Sequence, residues 1–291
     1  MNRRDWIKLT ATGGIGALSM SLTDLQQLKA GAPSQRMPSI FIGHGSPMNA
    51  IYNNTFTQAL NQLGNKLEKP KAVLMISAHW LTRGTHVAMQ AKPKTIYDFG
   101  GFPEALYQIN YPAPGSPEMA KQTIQAVKSI QVHENHDMGL DHGAWTILKH
   151  IWPQADVPVY QLSIDYYKSP EYHFNLAKEL SILRDKGVMI MGSGNIVHNL
   201  GMANFPNING PVDAWAAEFD TKIKNALDSG NDAALINYQQ YGKVAQLAVP
   251  TNDHFLPLLY VTGTLNAKEE KKYIFEGFQH GNISMRSFLS A

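Results

Sequence analysis

The chain reads as a single α/β domain: a central, mostly parallel sheet flanked by helices, with a metal site at the carboxyl ends of its strands. Three observations predict this. Short, continuous apolar runs, Ile40-Phe41-Ile42, Ala72-Val73-Leu74-Met75-Ile76 and residues 187–191, have the length of strands buried on both faces. Segments with helical spacing of apolar residues lie between them, which is the strand–helix–strand order of a parallel sheet. Each run also stops at small or polar residues and then delivers a histidine: Gly43-His44-Gly45-Ser46-Pro47, Ser77-Ala78-His79-Trp80 and Gly192-Ser193-Gly194-Asn195-Ile196-Val197-His198-Asn199. Ligands of open α/β sheets bind at that edge.

Ahead of the first strand, Asn2-Arg3-Arg4-Asp5-Trp6-Ile7-Lys8 has the pattern of a twin-arginine export motif. A weakly apolar stretch, residues 9–22, follows; it is too short and too polar to span a membrane and suits a removable segment. Residues 1–32 are therefore expected to be a signal peptide, and residues 38–291 the catalytic domain. The mature protein would be periplasmic and free of the membrane, or cytoplasmic if the leader is not used. Removing residues 1–32 takes away Arg3, Arg4, Lys8 and Lys29 with Asp5 and Asp24, so a net charge of +2 falls to zero.

In chain order, Phe56, Leu60, Leu63 and Leu67 predict a helix over residues 53–67, followed at once by the strand over residues 71–78. Residues 85–90 read as another strand. Residues 91–116 form a long loop rich in Pro, Gly and aromatics, Tyr97, Phe99, Phe102, Tyr107 and Tyr111 among them; such a loop in a compact domain is either functional, often a lid or pocket wall, or simply pinned to the surface by its aromatics. A helix over residues 117–130 and a brief strand over residues 132–134 come next. Asp141 is placed to cap a helix over residues 144–151, which sets His142 at its start. A strand over residues 157–164, a helix over residues 170–185, the strand 187–191 and a glycine-rich turn over residues 192–194 follow. Residues 211–229 and 232–241 read as helices. Asn252 or Asp253 would cap an apolar helix with His254 at its start. Residues 273–278 and 283–288 form a closing hairpin around residues 279–282. The sequence has no internal repeat and no linker.

Composition narrows the chemistry. The chain has 291 residues, 44% hydrophobic and 16% charged, with no Lys/Arg-rich run, so nucleic acid is not the expected partner. It has no cysteine, which excludes disulfides, iron–sulfur clusters and thiolate zinc sites. A transition metal must then be held by His, Asp or Glu. Of eleven histidines, His44, His79, His142, His198 and His254 sit at element ends beside Gly, Asp or Asn. His86, His133, His136, His150, His173 and His280 lack that setting and read as surface or core residues. Neutral imidazole suits Zn, Fe, Cu or Ni, and ligands drawn from several strand ends make a catalytic rather than a structural site.

The five motifs, including Gly139-Leu140-Asp141-His142-Gly143-Ala144-Trp145 and Asn252-Asp253-His254-Phe255-Leu256-Pro257, together resemble the class III extradiol ring-cleavage dioxygenases, in their DOPA 4,5-dioxygenase-like branch. The resemblance runs from Pro38 to the C-terminus. It implies His44, His79 and His254 as metal ligands, with His198 as a fourth ligand or as the acid/base. It further implies catalytic roles for His198 and His142, substrate contacts from His142, Asp141, Ser46 and Tyr97, and one Zn(II) or Fe(II) per chain. The reaction it implies inserts O2 into a catechol-type substrate to give a semialdehyde, with His198 taking a proton and His198 or His142 returning one. Two other readings of the same histidines are a zinc hydrolase and a non-enzymatic metal-binding member of the superfamily.

Overall fold

The computed structural model describes residues 36–290; the expected leader, residues 1–32, lies outside the described residues. The centre is a six-stranded sheet: β1 (Ser39–Gly43), β2 (Ala72–Ser77), β3 (Val159–Gln161), β4 (Val188–Gly194), β5 (Lys271–Phe275) and β6 (Ser287–Ser290). Their order is β3-β2-β4-β1-β6-β5. The first four are mutually parallel; β6 runs antiparallel to both β1 and β5. The sheet is thus mostly parallel, with an antiparallel edge supplied by the C-terminus.

Alternation along the strands explains why the apolar runs are continuous. Phe41, Leu74, Ile76, Val188 and Ile190 face one core; Ile40, Ile42, Val73, Met75, Met189 and Met191 face another. A strand covered on both faces has no solvent side on which to place a polar residue. Helices α1 (Thr55–Gly64) and α2 (His142–Ile151) cover the second face through Phe56, Leu60, Leu63, Trp145 and Leu148. Helices α3 (Pro170–Leu180), α4 (Ala214–Asp228) and α5 (Leu256–Gly263) cover the first through Phe174, Leu180, Phe219, Ile223, Leu258 and Val261. Asn54 caps α1 in a reciprocal box with Thr57. No described helix is long and apolar enough to cross a membrane.

The main departures from expectation each have a local cause. β4 does not stop at Met191 but continues through Gly194. A Cβ at Gly192 would lie 2.5 Å from the Pro257 carbonyl oxygen, and one at Gly194 2.2 Å from that of His254. These glycines therefore admit α5 and its entry turn against the strand rather than making a turn themselves. The expected strand 157–164 ends at Gln161, because Leu162 pairs with Val87 and Ile164–Asp165 pairs with Leu81–Thr82. The helix over residues 170–185 breaks at Ser181, whose hydroxyl donates to the Lys178 carbonyl. The helix over residues 232–241 ends at Ile236; after the positive φ of Gly242 a further helix, Lys243–Ala248, follows that the sequence reading did not anticipate. The C-terminal hairpin pairs Phe278–Gln279 with Ile283–Ser284, and β5 with β6 across a bulge.

Candidate metal centre

Neighbouring strands deliver the histidines to one edge, and the backbone fixes the delivery. β2 and β1 flank β4, so His79, two residues beyond β2, and His44, just beyond β1, emerge on either side of it. The His44 N–H donates to the Gly194 carbonyl (3.0 Å) and that of Ala78 to the Ser193 carbonyl (3.0 Å). The Asn195 N–H donates to the His254 carbonyl (2.8 Å), tying the turn before α5 to the end of β4. Gly45 follows at φ +63°, where its lack of Cβ matters, and its N–H reaches the Asn195 side chain. His254 precedes α5 within a turn whose Asn252 carbonyl accepts from Phe255 and Leu256; no side chain caps that helix.

One ring nitrogen from each of His44, His79 and His254 lies within 4.8 Å of the others. Their outer nitrogens are engaged. Ser193 donates its hydroxyl to the Gly143 carbonyl (2.6 Å) and so accepts from His44 Nδ1 (2.9 Å). His254 Nδ1 bonds to the Asp253 carboxylate, and His79 Nδ1 faces Asp98 at 3.5 Å. Such outer partners fix which nitrogen carries the proton and turn the other inward. His44 Nε2 and His79 Nε2 then face each other at 3.1 Å, the first as a lone pair, and His254 Nε2 is buried with no hydrogen-bond partner. Two ligands about 2.1 Å from one metal at 90–109° are about 3.0–3.4 Å apart, so the donor set fits a divalent transition metal. Burial, followed by repulsion from the other histidines, holds His44 and His254 well below 6.5; burial and His142 bring His79 down to about 3. All three rings are neutral at pH 7, the form that binds metal.

The remaining histidines frame the site. His142 opens α2, capped by Asp141 through the Ala144 N–H (3.1 Å). Its Nδ1 and backbone N–H both donate to Asp98 at 2.8 Å, leaving Nε2 as the acceptor. Burial raises the Asp98 carboxyl, but the His142 hydrogen bonds and charge outweigh it and leave Asp98 below its ordinary value. His198 stacks on His254 with ring centroids 3.5 Å apart and planes 7° from parallel. Its N–H donates to the Ala248 carbonyl (2.9 Å) and the Asn199 side chain to that of Leu247 (2.8 Å), so the unanticipated helix Lys243–Ala248 holds this segment by its C-terminal carbonyls. Burial brings His198 down to about 4. His198 lies outside the three-histidine group.

These side chains line a cavity of about 290 Å³, walled further by Ser46, Phe99, Phe102, Leu200, Phe205 and His280. Of the expected substrate contacts, His142 and Ser46 reach it. Asp141 does not: its Oδ1 takes the Ser77 hydroxyl and caps α2, and burial raises its carboxyl to about 6. Tyr97 also does not line the cavity, because its hydroxyl donates to the Ile109 carbonyl (2.6 Å) and its ring packs on Phe99, Tyr107 and Trp145. The sequence reading missed Asp98, Asp253 and Ser193, which orient the histidines, and it assigned His280 elsewhere. The Asp253-His254 pair was visible as a dipeptide; Asp98 and Ser193 act only through the fold. His150 and His173 are occupied by structural partners, the Asn49 carbonyl and the Tyr260 hydroxyl.

The profile of a family described as the catalytic LigB subunit of aromatic ring-opening dioxygenase matches residues 37–285. The chain is 42% identical to a 4,5-DOPA dioxygenase extradiol of Escherichia coli (strain K12), over 87% of this chain and 94% of that protein. It is 37% identical to a 4,5-DOPA dioxygenase extradiol of Beta vulgaris, over 86% and 95%. A crystal structure of an uncharacterized protein from Escherichia coli K12 superposes with a TM-score of 0.77 at 37% identity, covering 88% of this chain and all of that one.

Proposed function

Since the chain belongs to the LigB family of aromatic ring-opening dioxygenases, we propose that it is an extradiol enzyme that opens a catechol-type ring with O2 at the three-histidine centre. The relatives named for DOPA make that compound the reference substrate. One observation carries the reading: the inward ring nitrogens of His44 and His79 at 3.1 Å, with the unpartnered His254 Nε2 beside them, open onto a cavity that also holds His142 and His198.

His44, His79 and His254 would hold the metal. Bound Fe(II) supplies the one-electron chemistry by which a catecholate reacts with O2, which d¹⁰ Zn(II) does not offer. The chain's own residues handle protons and position. His198, neutral at pH 7 because burial lowers it to about 4, takes a proton from a substrate hydroxyl. His142, its Nδ1–H held by Asp98, keeps Nε2 aimed for a second hydroxyl or for returning a proton. Phe99 and Phe102 keep water from that face of the ring. The leader motif supports a periplasmic place of action.

The test is oxygen uptake by protein loaded anaerobically with Fe(II), offered DOPA, protocatechuate and catechol, beside a zinc-loaded control. Oxygen consumption matched by a yellow semialdehyde in the iron form alone is expected. Absence of uptake on every catechol by protein with one bound Fe(II) overturns the reading.

A further inference from the structure

One polar group of the cavity takes no part in metal binding or proton transfer. His280 lines the same cavity as the other five histidines and is buried. Each of those five rings packs on at least one other, with centroids 3.5–5.7 Å apart. The His280 ring instead packs on Phe205 at 5.4 Å. It shares their cavity without belonging to their cluster.

Its hydrogen bonds leave one atom over. Nδ1 donates to the Asn204 carbonyl (3.2 Å), which makes Nε2 the acceptor. Nε2 has no hydrogen-bond partner among the described residues. The backbone holds the ring in this place. The His280 N–H donates to the Ile208 carbonyl (2.9 Å), and its own carbonyl accepts from the Asn204 N–H (2.8 Å). His280 and Gly281 stand at φ +55° and +83° in the turn between Phe278–Gln279 and Ile283–Ser284. Hairpin turns with two successive positive φ values favour Asn-Gly. Here an imidazole occupies the place that suits Asn, and a backbone outlier kept beside a ligand cavity points to function.

The other polar side chains of the lining outside the cluster are committed. Asp98 takes the His142 N–H on one oxygen and His142 Nδ1–H on the other. Ser46 Oγ accepts from the Met48 N–H (3.2 Å). No Lys or Arg lines the cavity. A buried lone pair without a local donor calls for a donor on the ligand. At about 290 Å³ the cavity is at the small end for a ligand site, so a molecule held at the cluster also meets the rest of the lining.

Resting on the extradiol reading, we infer that His280 is a substrate-binding residue: with the catechol oxygens at the metal centre, its Nε2 accepts a hydrogen bond from an ammonium group on the ring's side chain. The preferred substrates are therefore amine-bearing catechols, DOPA among them. Such a bond is charge-assisted and correspondingly strong.

Affinity measured on the zinc-loaded protein tests this apart from ring opening, because the catechol is not consumed. Two ligand pairs differ only in the amine: dopamine with 4-ethylcatechol, and DOPA with 3-(3,4-dihydroxyphenyl)propanoate. By calorimetric titration, the amine-bearing member of each pair should bind the unaltered protein about five-fold or more tightly. His280→Asn suits the positive φ and keeps an N–H for the Asn204 carbonyl, but lacks Nε2. It should weaken dopamine and DOPA by about ten-fold or more and leave the amine-free partners within about two-fold. His280→Gln, whose amide oxygen can take the Nε2 place, should restore dopamine to within about three-fold of the unaltered protein. Amine-bearing catechols binding no more tightly than their partners, or equal losses across each pair in His280→Asn, overturn the inference. Amine-selective binding with no oxygen uptake by the iron form leaves His280 in its role and removes ring opening. Uptake with an unchanged ratio of kcat/KM for DOPA and the propanoate in His280→Asn does the reverse.

Discussion

Replacing Ser193 by alanine tests whether the hydroxyl behind His44 sets up the metal centre. That hydroxyl is fully buried, donates to the Gly143 carbonyl at 2.6 Å and accepts from His44 Nδ1 at 2.9 Å. Ser193→Ala leaves one buried acceptor and one buried donor without partners. At about 1–2 kcal/mol each, the metal-free protein should lose about 2–4 kcal/mol of stability. The free imidazole would also no longer be held with its proton on Nδ1, and loss of such an outer partner costs about 10–100-fold in metal affinity. Urea unfolding of metal-free protein reads the first effect, and competition for Zn(II) with a chromophoric chelator reads the second. The two need not move together. A stability loss with zinc affinity unchanged within two-fold would refute the argument, since His44 would then bind metal without the hydroxyl's help or not bind it at all.

Other outcomes follow from the same geometry. His44→Ala, His79→Ala and His254→Ala should each give folded protein with metal well below one per chain by elemental analysis. Full occupancy in all three would remove them as ligands. His198→Ala should keep its metal, because His198 lies outside the three-histidine group, while turnover of the iron form falls by about 10²–10⁴; loss of metal would make it a ligand instead. The completely buried His173 supplies a pH test away from the metal centre. Burial lowers it to about 4 against an unfolded value of 6.5. The unfolded chain therefore binds the extra proton between those values, so this contribution is intact above pH 6.5 and is lost as pH falls toward 4. At pH 5 the loss is about 2 kcal/mol. The drop in unfolding free energy between pH 7.5 and pH 5 should be smaller by that amount in His173→Asn, and an equal drop in both proteins would contradict the assignment.

The sheet and the histidine cluster were legible because each rests on a local signal. Ile40-Phe41-Ile42 and Ala72-Val73-Leu74-Met75-Ile76 read as strands buried on both sides, and their ends name His44 and His79. Asp141 as a cap places His142 without any tertiary information. What could not be read depends on what packs against a residue. Gly192 and Gly194 look like a turn, yet they are strand residues made small by the Pro257 and His254 carbonyls. Asp98 sits in an irregular aromatic loop and acquires its role only when that loop folds over α2. Tyr97 and Asp141 stand close in sequence to functional residues, but their polar atoms are turned to the Ile109 carbonyl and to Ser77. Adjacency along the chain does not say which way a side chain faces.

The position of β1 has a consequence for how the protein is made. This strand lies between β4 and β6, so its partners are residues 188–194 and 287–290. Loop closure of that length makes contact formation slow and late. A chain still emerging from the ribosome cannot complete the middle of its own sheet until residues 287–290 have been synthesised. Until then one edge of β1 stays unpaired, and Gly43 lacks the Ser284–Met285 backbone that packs against it. Synthesis order thus makes residues 284–290 the precondition for a finished metal centre. Loss of only the final strand would expose a sticky edge beside His44, where aggregation rather than simple inactivity is the expected fate.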